Sequence, residues 1–268
     1  LIDYAGLNLR VAKFAKNKNI EVSYYIPPKI WAWNKRRVFR IKKYVDKLYV
    51  IFPFEKDIYS SYGIKANYFG NPIFENKHEN EKLKENVIAL LPGSRLQEVK
   101  KILPEMLKIV HQFPSYKFIV VKSSNICKSH YDKLIRKNSS KNIFISNEPT
   151  LEILRKSKVA AVTSGTATLE AVKMNVPQVV CYKTSKLNFY LAKFLLKIKY
   201  ISLVNILLNK ECVKELIQNN LNPKKLSFEL NRLIDLNYSK KMVLDYKKIH
   251  GLLYQRNTSK KIATDILS

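Results

Sequence analysis

The apolar run Val87 to Leu91 leaves through Pro92-Gly93-Ser94-Arg95 and passes straight into a helical pattern. A turn needs only the Pro and the Gly, so the Ser-Arg pair is an addition. A helix start presents free N–H groups and the positive end of the helix dipole, which attract anions. Ser94 and Arg95 are therefore candidates to hold a phosphate. A second stretch repeats the logic. After the apolar run that ends at Thr163, Ser164, Gly165 and Thr166 form a turn of small residues. Such a turn lets backbone N–H groups approach a diphosphate, and Glu170, early in the helix that follows, is placed to accept hydrogen bonds from ribose hydroxyls. The same residues also read as an ordinary capped turn. Neither the P-loop nor the G-x-G-x-x-G spacing is present.

Three further stretches bear on chemistry. Asp3 closes "LID", which reads as the tail of a strand. Asn205 is a polar residue inside "SLVNILL", and a buried amide needs partners, either a ligand or a loop. In residues 24–59, Val38, Ile41, Val45 and Leu48 recur at helical spacing and should face a core. Arg36, Arg40, Lys43 and Lys47 recur on another face, a basic stripe beside Trp31 and Trp33. Tryptophan with cations suits a membrane interface with anionic headgroups; a solvated face with buried tryptophans fits equally well. Residues 187–211 are apolar with spaced lysines and read as a core helix or as one dipping into a surface.

The elements that must position these residues alternate along the chain. "IEVSYYI", "DKLYVIF", "ANYFG", "VIALLP", "YKFIVVK", "NIFISN", "VAAVTS" and "PQVVCY" read as strands, with helical periodicity between them. Short strands apolar on both sides argue for parallel sheets covered by helices. The polar stretch 71–86 marks a domain boundary, and residues 222–268 read as helical. The chain opens without Met on what looks like a strand end, so sequence upstream is expected.

Composition sets limits. At 46% apolar, the 268 residues can pack a core, which argues against wholesale disorder. The formal charge of +28 admits nucleic acid, an anionic membrane or phosphorylated substrates as partners. Only nine of the 49 basic residues are Arg, and abundant Lys, Asn, Ile and Tyr also fit drift in an AT-rich genome. No nucleic-acid motif appears, and the α/β rhythm does not favour one. Cys127, Cys181 and Cys212 show neither disulfide nor zinc spacing, which makes a reducing cytoplasm the default. No Asp-x-Asp is present to hold a divalent cation on a diphosphate, so no cofactor or metal is expected. The four His are scattered.

Together the stretches "YYIPPKIWAWNKRRVFRIKKYVDKLYVIFPFEKDIY", "LLPGSRLQEV", "TSGTATLEAVKMNVPQVVCYK" and "LAKFLLKIKYISLVNILLNKECVKEL" resemble the lipid-A-disaccharide synthases, glycosyltransferases of the GT-B fold, in family order over most of the chain. The resemblance implies two Rossmann-like α/β domains with parallel sheets. Residues 1–75 would be the remainder of an incomplete N-terminal, acceptor-side domain, and 86–222 the UDP-sugar-binding domain. Residues 223–268 would be helices that close one domain or cross back to the other. The implied reaction joins UDP-2,3-diacylglucosamine to 2,3-diacylglucosamine 1-phosphate, releasing UDP. UDP would meet Ser94, Arg95, Ser164, Gly165, Thr166, Glu170 and Asn205. Asp3 matches the family's essential Asp, and Arg95 would meet the leaving-group charge. Trp31, Trp33, Arg36, Arg40 and Lys43 would face the acceptor and the anionic inner-membrane surface, from the cytoplasmic side. A homodimer is compatible with the resemblance. Two departures stand out: the family's opening G-E-x-S-G-D loop is absent, and Asn71 stands where the family commonly has His. From a chain beginning at Leu1 the expectation is UDP binding with little disaccharide formation. A UDP-sugar epimerase of the same fold, or a non-catalytic remnant that binds UDP, are the alternatives.

Overall fold

The short apolar runs fold as parallel strands. A computed structural model describes all residues except 33, 77–83, 139 and 186–198. The chain divides into two units, Leu1–Lys77 with Gly251–Ser268, and His78–His250.

In the first unit β1 (Ser23–Tyr25), β2 (Lys47–Val50) and β3 (Ala66–Tyr68) form a parallel sheet in the order β1-β2-β3. Ile2 makes a parallel bridge to Tyr25, so the "LID" tail runs beside this sheet. Helices α1 (Ala5–Asn17), α2 (Arg37–Tyr44) and α3 (Pro53–Ser60) supply Leu9, Val38, Ile41 and Tyr59 to a core with Tyr24, Leu48 and Val50. The apolar spacing from Val38 to Leu48 is not one helical face. The helix α2 stops at Tyr44, Val45 is extended, and Leu48 enters the core from β2. Lys47 leaves the basic stripe for the same reason and donates to the Asp265 carbonyl.

In the second unit β4 (Glu85–Leu91), α4 (Leu96–Leu107), β5 (Lys117–Val121), α5 (Lys128–Ile135), β6 (Ile143–Ser146), α6 (Thr150–Lys156), β7 (Ser157–Thr163), α7 (Ala167–Lys173), β8 (Gln178–Tyr182), α8 (Leu203–Leu208) and β9 (Glu215–Ile217) follow in turn. All strand pairs are parallel, in the order β6-β5-β4-β7-β8-β9. Residues 87–91 of β4 and 159–163 of β7 are buried throughout, as central strands covered on both faces must be. Helix α4 buries Val99, Ile102, Leu103, Met106 and Leu107, the i, i+3, i+4, i+7, i+8 stripe of a helix on a sheet. Strand β9 was not legible: three residues inside "CVKELIQNN" carry no alternation to mark them.

Three helices complete the chain: α9 (Pro223–Ile234), α10 (Leu236–Leu253) and α11 (Thr258–Leu267). The Asn222 side chain caps α9 by accepting from the Lys225 N–H, with Pro223 at the first helical position, both strong helix-start signals. From Gly251 onward the chain belongs to the first unit, where Thr258 donates to the Phe69 carbonyl and Tyr49 to Asp265. No described helix is long and apolar enough to cross a membrane.

Candidate functional site

In the second unit the strand order reverses at the β4–β7 seam, with β5 and β6 on one side and β8 and β9 on the other. Open parallel sheets bind ligands outside the carboxyl ends of their strands at such a switch point. Leu91 pairs with Val162, so the turns 92–95 and 164–166 leave the sheet side by side.

Glu98 reaches back over the first turn. One of its oxygens accepts from the Ser94 and Arg95 N–H groups at 3.2 and 3.3 Å, and the other from Arg95 Nη1 at 3.0 Å. Gly93 makes this possible: it sits at φ 117°, and a Cβ there would come within 2.5 Å of Glu98 Oε2. One carboxylate thus occupies donors that an incoming anion would use. The Arg95 side chain is 81% exposed and that of Glu98 22%, so the guanidinium faces solvent above a sheltered carboxylate. Sequence reasoning missed Glu98, although its place three residues after the N-cap is the spacing of a capping-box glutamate.

At the second turn Gly165 has φ 149°. Ser164 donates to the Ile201 carbonyl at 2.8 Å, Thr168 donates to the Gly165 carbonyl at 2.7 Å, and Thr166 is exposed. Glu170 is half-buried and makes no hydrogen bond or ion pair among the described residues; burial pushes its carboxyl up, with Lys173 opposing. Tyr182, at the end of β8, was also missed. Burial raises its phenol first, then Glu98 raises it and Arg95 lowers it, which places it at the same edge.

Asn205 differs from the expectation of direct ligand contact. Its side chain is fully buried and spent internally. The amide nitrogen donates to the Val213 carbonyl and Glu215, and the oxygen accepts from the Cys212 and Val213 N–H groups. Glu215 also accepts from the Ile201 and Ser202 N–H groups. The pair fixes the loop whose Ile201 carbonyl receives Ser164.

In the first unit Asp3 and Tyr4 both have positive φ, 47° and 36°, a strained conformation for non-glycine residues that costs about 1–3 kcal/mol each. Three bonds hold it. The Asp3 N–H donates to the Tyr25 carbonyl, and the Asp3 carbonyl accepts from Tyr24 Oη and Asn8 Nδ2. The Asp3 carboxylate makes no hydrogen bond among the described residues. Nearby, burial pulls the Lys29 amine down against the Glu55 and Asp3 carboxylates. Trp31 is half-buried; its indole N–H donates to the buried Glu55 at 3.0 Å and its ring meets Phe54 edge-on. Trp33 lies outside the described residues, as does most of the 187–211 stretch. Arg36 and Arg40 line a cavity with Arg10 and Arg37, whereas Lys43 lies over the Tyr44 ring. Asn71 is buried; it donates to the Ile51 carbonyl and accepts from the Ile73 N–H, a loop-holding role.

Two parallel α/β units, one with a strand-order switch point, define a protein of the GT-B class, the fold of many sugar-nucleotide transferases and epimerases. The S. aureus MnaA–UDP structure superposes with a TM-score of 0.61 over 95% of this chain and 69% of that one, at 13% identity, a likeness of fold alone. The chain belongs to the lipid-A-disaccharide synthetase family, whose model matches residues 1–266. The lipid-A-disaccharide synthase of Acinetobacter baylyi is 32% identical, over 96% of this chain and 72% of its own length. Lipid-A-disaccharide synthase 1 of Legionella pneumophila is 35% identical, over 93% of this chain and 69% of its own.

Proposed function

We propose that this chain is a lipid-A-disaccharide synthase. It transfers the sugar of UDP-2,3-diacylglucosamine to the 6-hydroxyl of 2,3-diacylglucosamine 1-phosphate, giving the β-1,6-linked disaccharide phosphate and UDP. The observation that carries this reading is the family match over residues 1–266.

The chemistry is a single inverting displacement. The Asp3 carboxylate takes the proton of the acceptor hydroxyl as its oxygen attacks the anomeric carbon. The bond from that carbon to the UDP oxygen breaks on the opposite face. The charge that develops on the diphosphate is met by Arg95 and by the backbone N–H groups of the turns at Ser94 and at Ser164 to Thr166. Glu170 accepts from the ribose, and Asn205 serves by holding the loop behind Ser164. Peripheral attachment at the anionic inner face of the inner membrane draws on Lys43 and on the exposed Leu7, Val11 and Phe14 of α1. A UDP-sugar epimerase shares the fold, but the structure of that name from Neisseria meningitidis is only 16% identical.

The test is direct. With both lipid substrates and EDTA present, the full-length enzyme should release UDP and form the β-1,6 disaccharide phosphate, identified by mass spectrometry and NMR. Isomerisation of UDP-N-acetylglucosamine at C2 without disaccharide would overturn the reading.

A further inference from the structure

Nine of the 49 basic residues are Arg, yet the basic residues that line one cavity of about 410 Å³ in the first unit are all Arg: Arg10, Arg36, Arg37 and Arg40. No Lys and no acidic residue shares the lining. Drift toward Lys in a basic protein does not choose Arg four times in one place. The guanidinium fork, unlike an ammonium, matches phosphate oxygens two at a time. Among the described residues none of the four pairs with a carboxylate; Arg40 donates to the Leu9 carbonyl at 3.1 Å.

The backbone compounds the excess of positive charge. Arg36 and Arg37 are the N-cap and first residue of α2, where the helix dipole is already positive, and no acidic residue stands in the first turn. Ala5 and Gly6, in the first turn of α1, line the same cavity, and that helix start also has neither a side-chain cap nor an acidic residue. Like charges crowded at two helix starts cost stability unless an anion joins them. Ala5 follows Asp3 by two residues, so their Cα atoms lie within about 7.6 Å, and the Tyr24 phenol feels both the Asp3 carboxylate and Arg37.

We infer that this arginine-lined cleft binds a phosphate monoester, and that in the transfer reaction it holds the 1-phosphate of the acceptor. The second clause rests on the function proposed above. With the phosphate seated there, one pyranose ring spans the short distance to Asp3 and presents its 6-hydroxyl. Arg36 and Arg40 then recognise substrate rather than the plane of the membrane.

The probe is glucosamine 1-phosphate, titrated calorimetrically into the whole chain, with glucosamine as control and UDP as an independent titrant. The sugar phosphate should bind and glucosamine should not. The Arg10→Gln/Arg37→Gln double variant should bind it about 10- to 100-fold more weakly, the loss of one or more charge-assisted contacts, and bind UDP as before. Arg10→Lys/Arg37→Lys keeps the charge and loses the fork, so it should fall between; it also decides the matter if the first variant melts early. Unchanged sugar-phosphate affinity in both variants would overturn the inference. So would loss of sedimentation with phosphatidylglycerol vesicles while sugar-phosphate binding stays intact, which would assign the cleft to lipid headgroups. Failure of the wild type to bind UDP, with the sugar phosphate still bound, would sink the donor reading and leave the cleft standing.

Discussion

The Gly93–Glu98 turn and the arginine cleft are both rich in hydrogen-bond donors, and they keep those donors in opposite states. At the turn, the Ser94 and Arg95 N–H groups and the guanidinium are already taken by Glu98. In the cleft, four guanidiniums have no carboxylate among the described residues. The first arrangement is stable alone, and under the function proposed above it would be exchanged on binding, carboxylate for diphosphate. The second is costly alone and is relieved by its ligand. An internal anion keeps a phosphate turn ordered but weakens its apparent affinity, because the ligand must displace what is there.

The largest effect should come from the group proposed above to take the acceptor proton. Asp3→Asn should lower turnover by about 10²–10⁴-fold, the range for a lost general base, while UDP affinity by calorimetry stays at the wild-type value. A variant within threefold of wild-type turnover would return Asp3 to the role of a strained cap.

The two ends of the Glu98 pair sharpen the comparison directly. Arg95→Ala should weaken UDP binding by about 1.5–3 kcal/mol, whereas Lys100→Ala, on the exposed flank of α4, should not change it. Glu98→Gln should act the other way, tightening UDP several-fold because an anion no longer holds the turn. It should also cost about 0.5–2 kcal/mol of stability for the weakened helix start, read as a lower melting temperature. If Glu98→Gln weakens UDP as Arg95→Ala does, the carboxylate orients the arginine and does not compete with the ligand.

The smallest effect concerns Glu170. Its carboxyl is held above its usual range by burial, so the folded state keeps this proton to higher pH than the unfolded chain does. The contribution is fully present below the unfolded value, about 4.3, and is lost as pH rises through the raised one. At neutral pH the ionised group destabilises the fold. Glu170→Gln should therefore raise the melting temperature slightly at pH 7, with the gain vanishing toward pH 4, while weakening UDP. A lower melting temperature at pH 7 would show that the carboxylate has a stabilising partner after all.

Much of this was written locally. Gly93 and Ser94-Arg95 between an apolar run and a helical stripe located the turn, and eight apolar runs located eight strands. What sequence could not supply was adjacency. Nothing near Leu91 says that its neighbour is Val162, and nothing near Arg36 says that Arg10 lines the same cavity. Asn205 misled because a polar residue in an apolar run marks burial with partners, and those partners, Cys212, Val213 and Glu215, lie beyond the next turn. Val45 and Leu48 misled because a strand that enters a core soon after a helix can continue the helix's spacing by coincidence. Glu98 was overlooked because a capping residue and an anion substitute look alike until the distances are known.

The β4–β7 seam has a kinetic consequence. Strand β4 pairs with β5 across some 30 residues, but with β7 across some 70. Each doubling of a closed loop costs about 0.6 kcal/mol in chain entropy, and long-range pairings are the slow ones to form. The turns 92–95 and 164–166 become neighbours only when that distant pairing closes. A nucleotide spanning both turns would bind the finished sheet and nothing earlier, so it would act as a clasp on the last seam to form. Bound ligand would then slow unfolding at the centre of the sheet, stabilising the native state in proportion to the logarithm of its concentration.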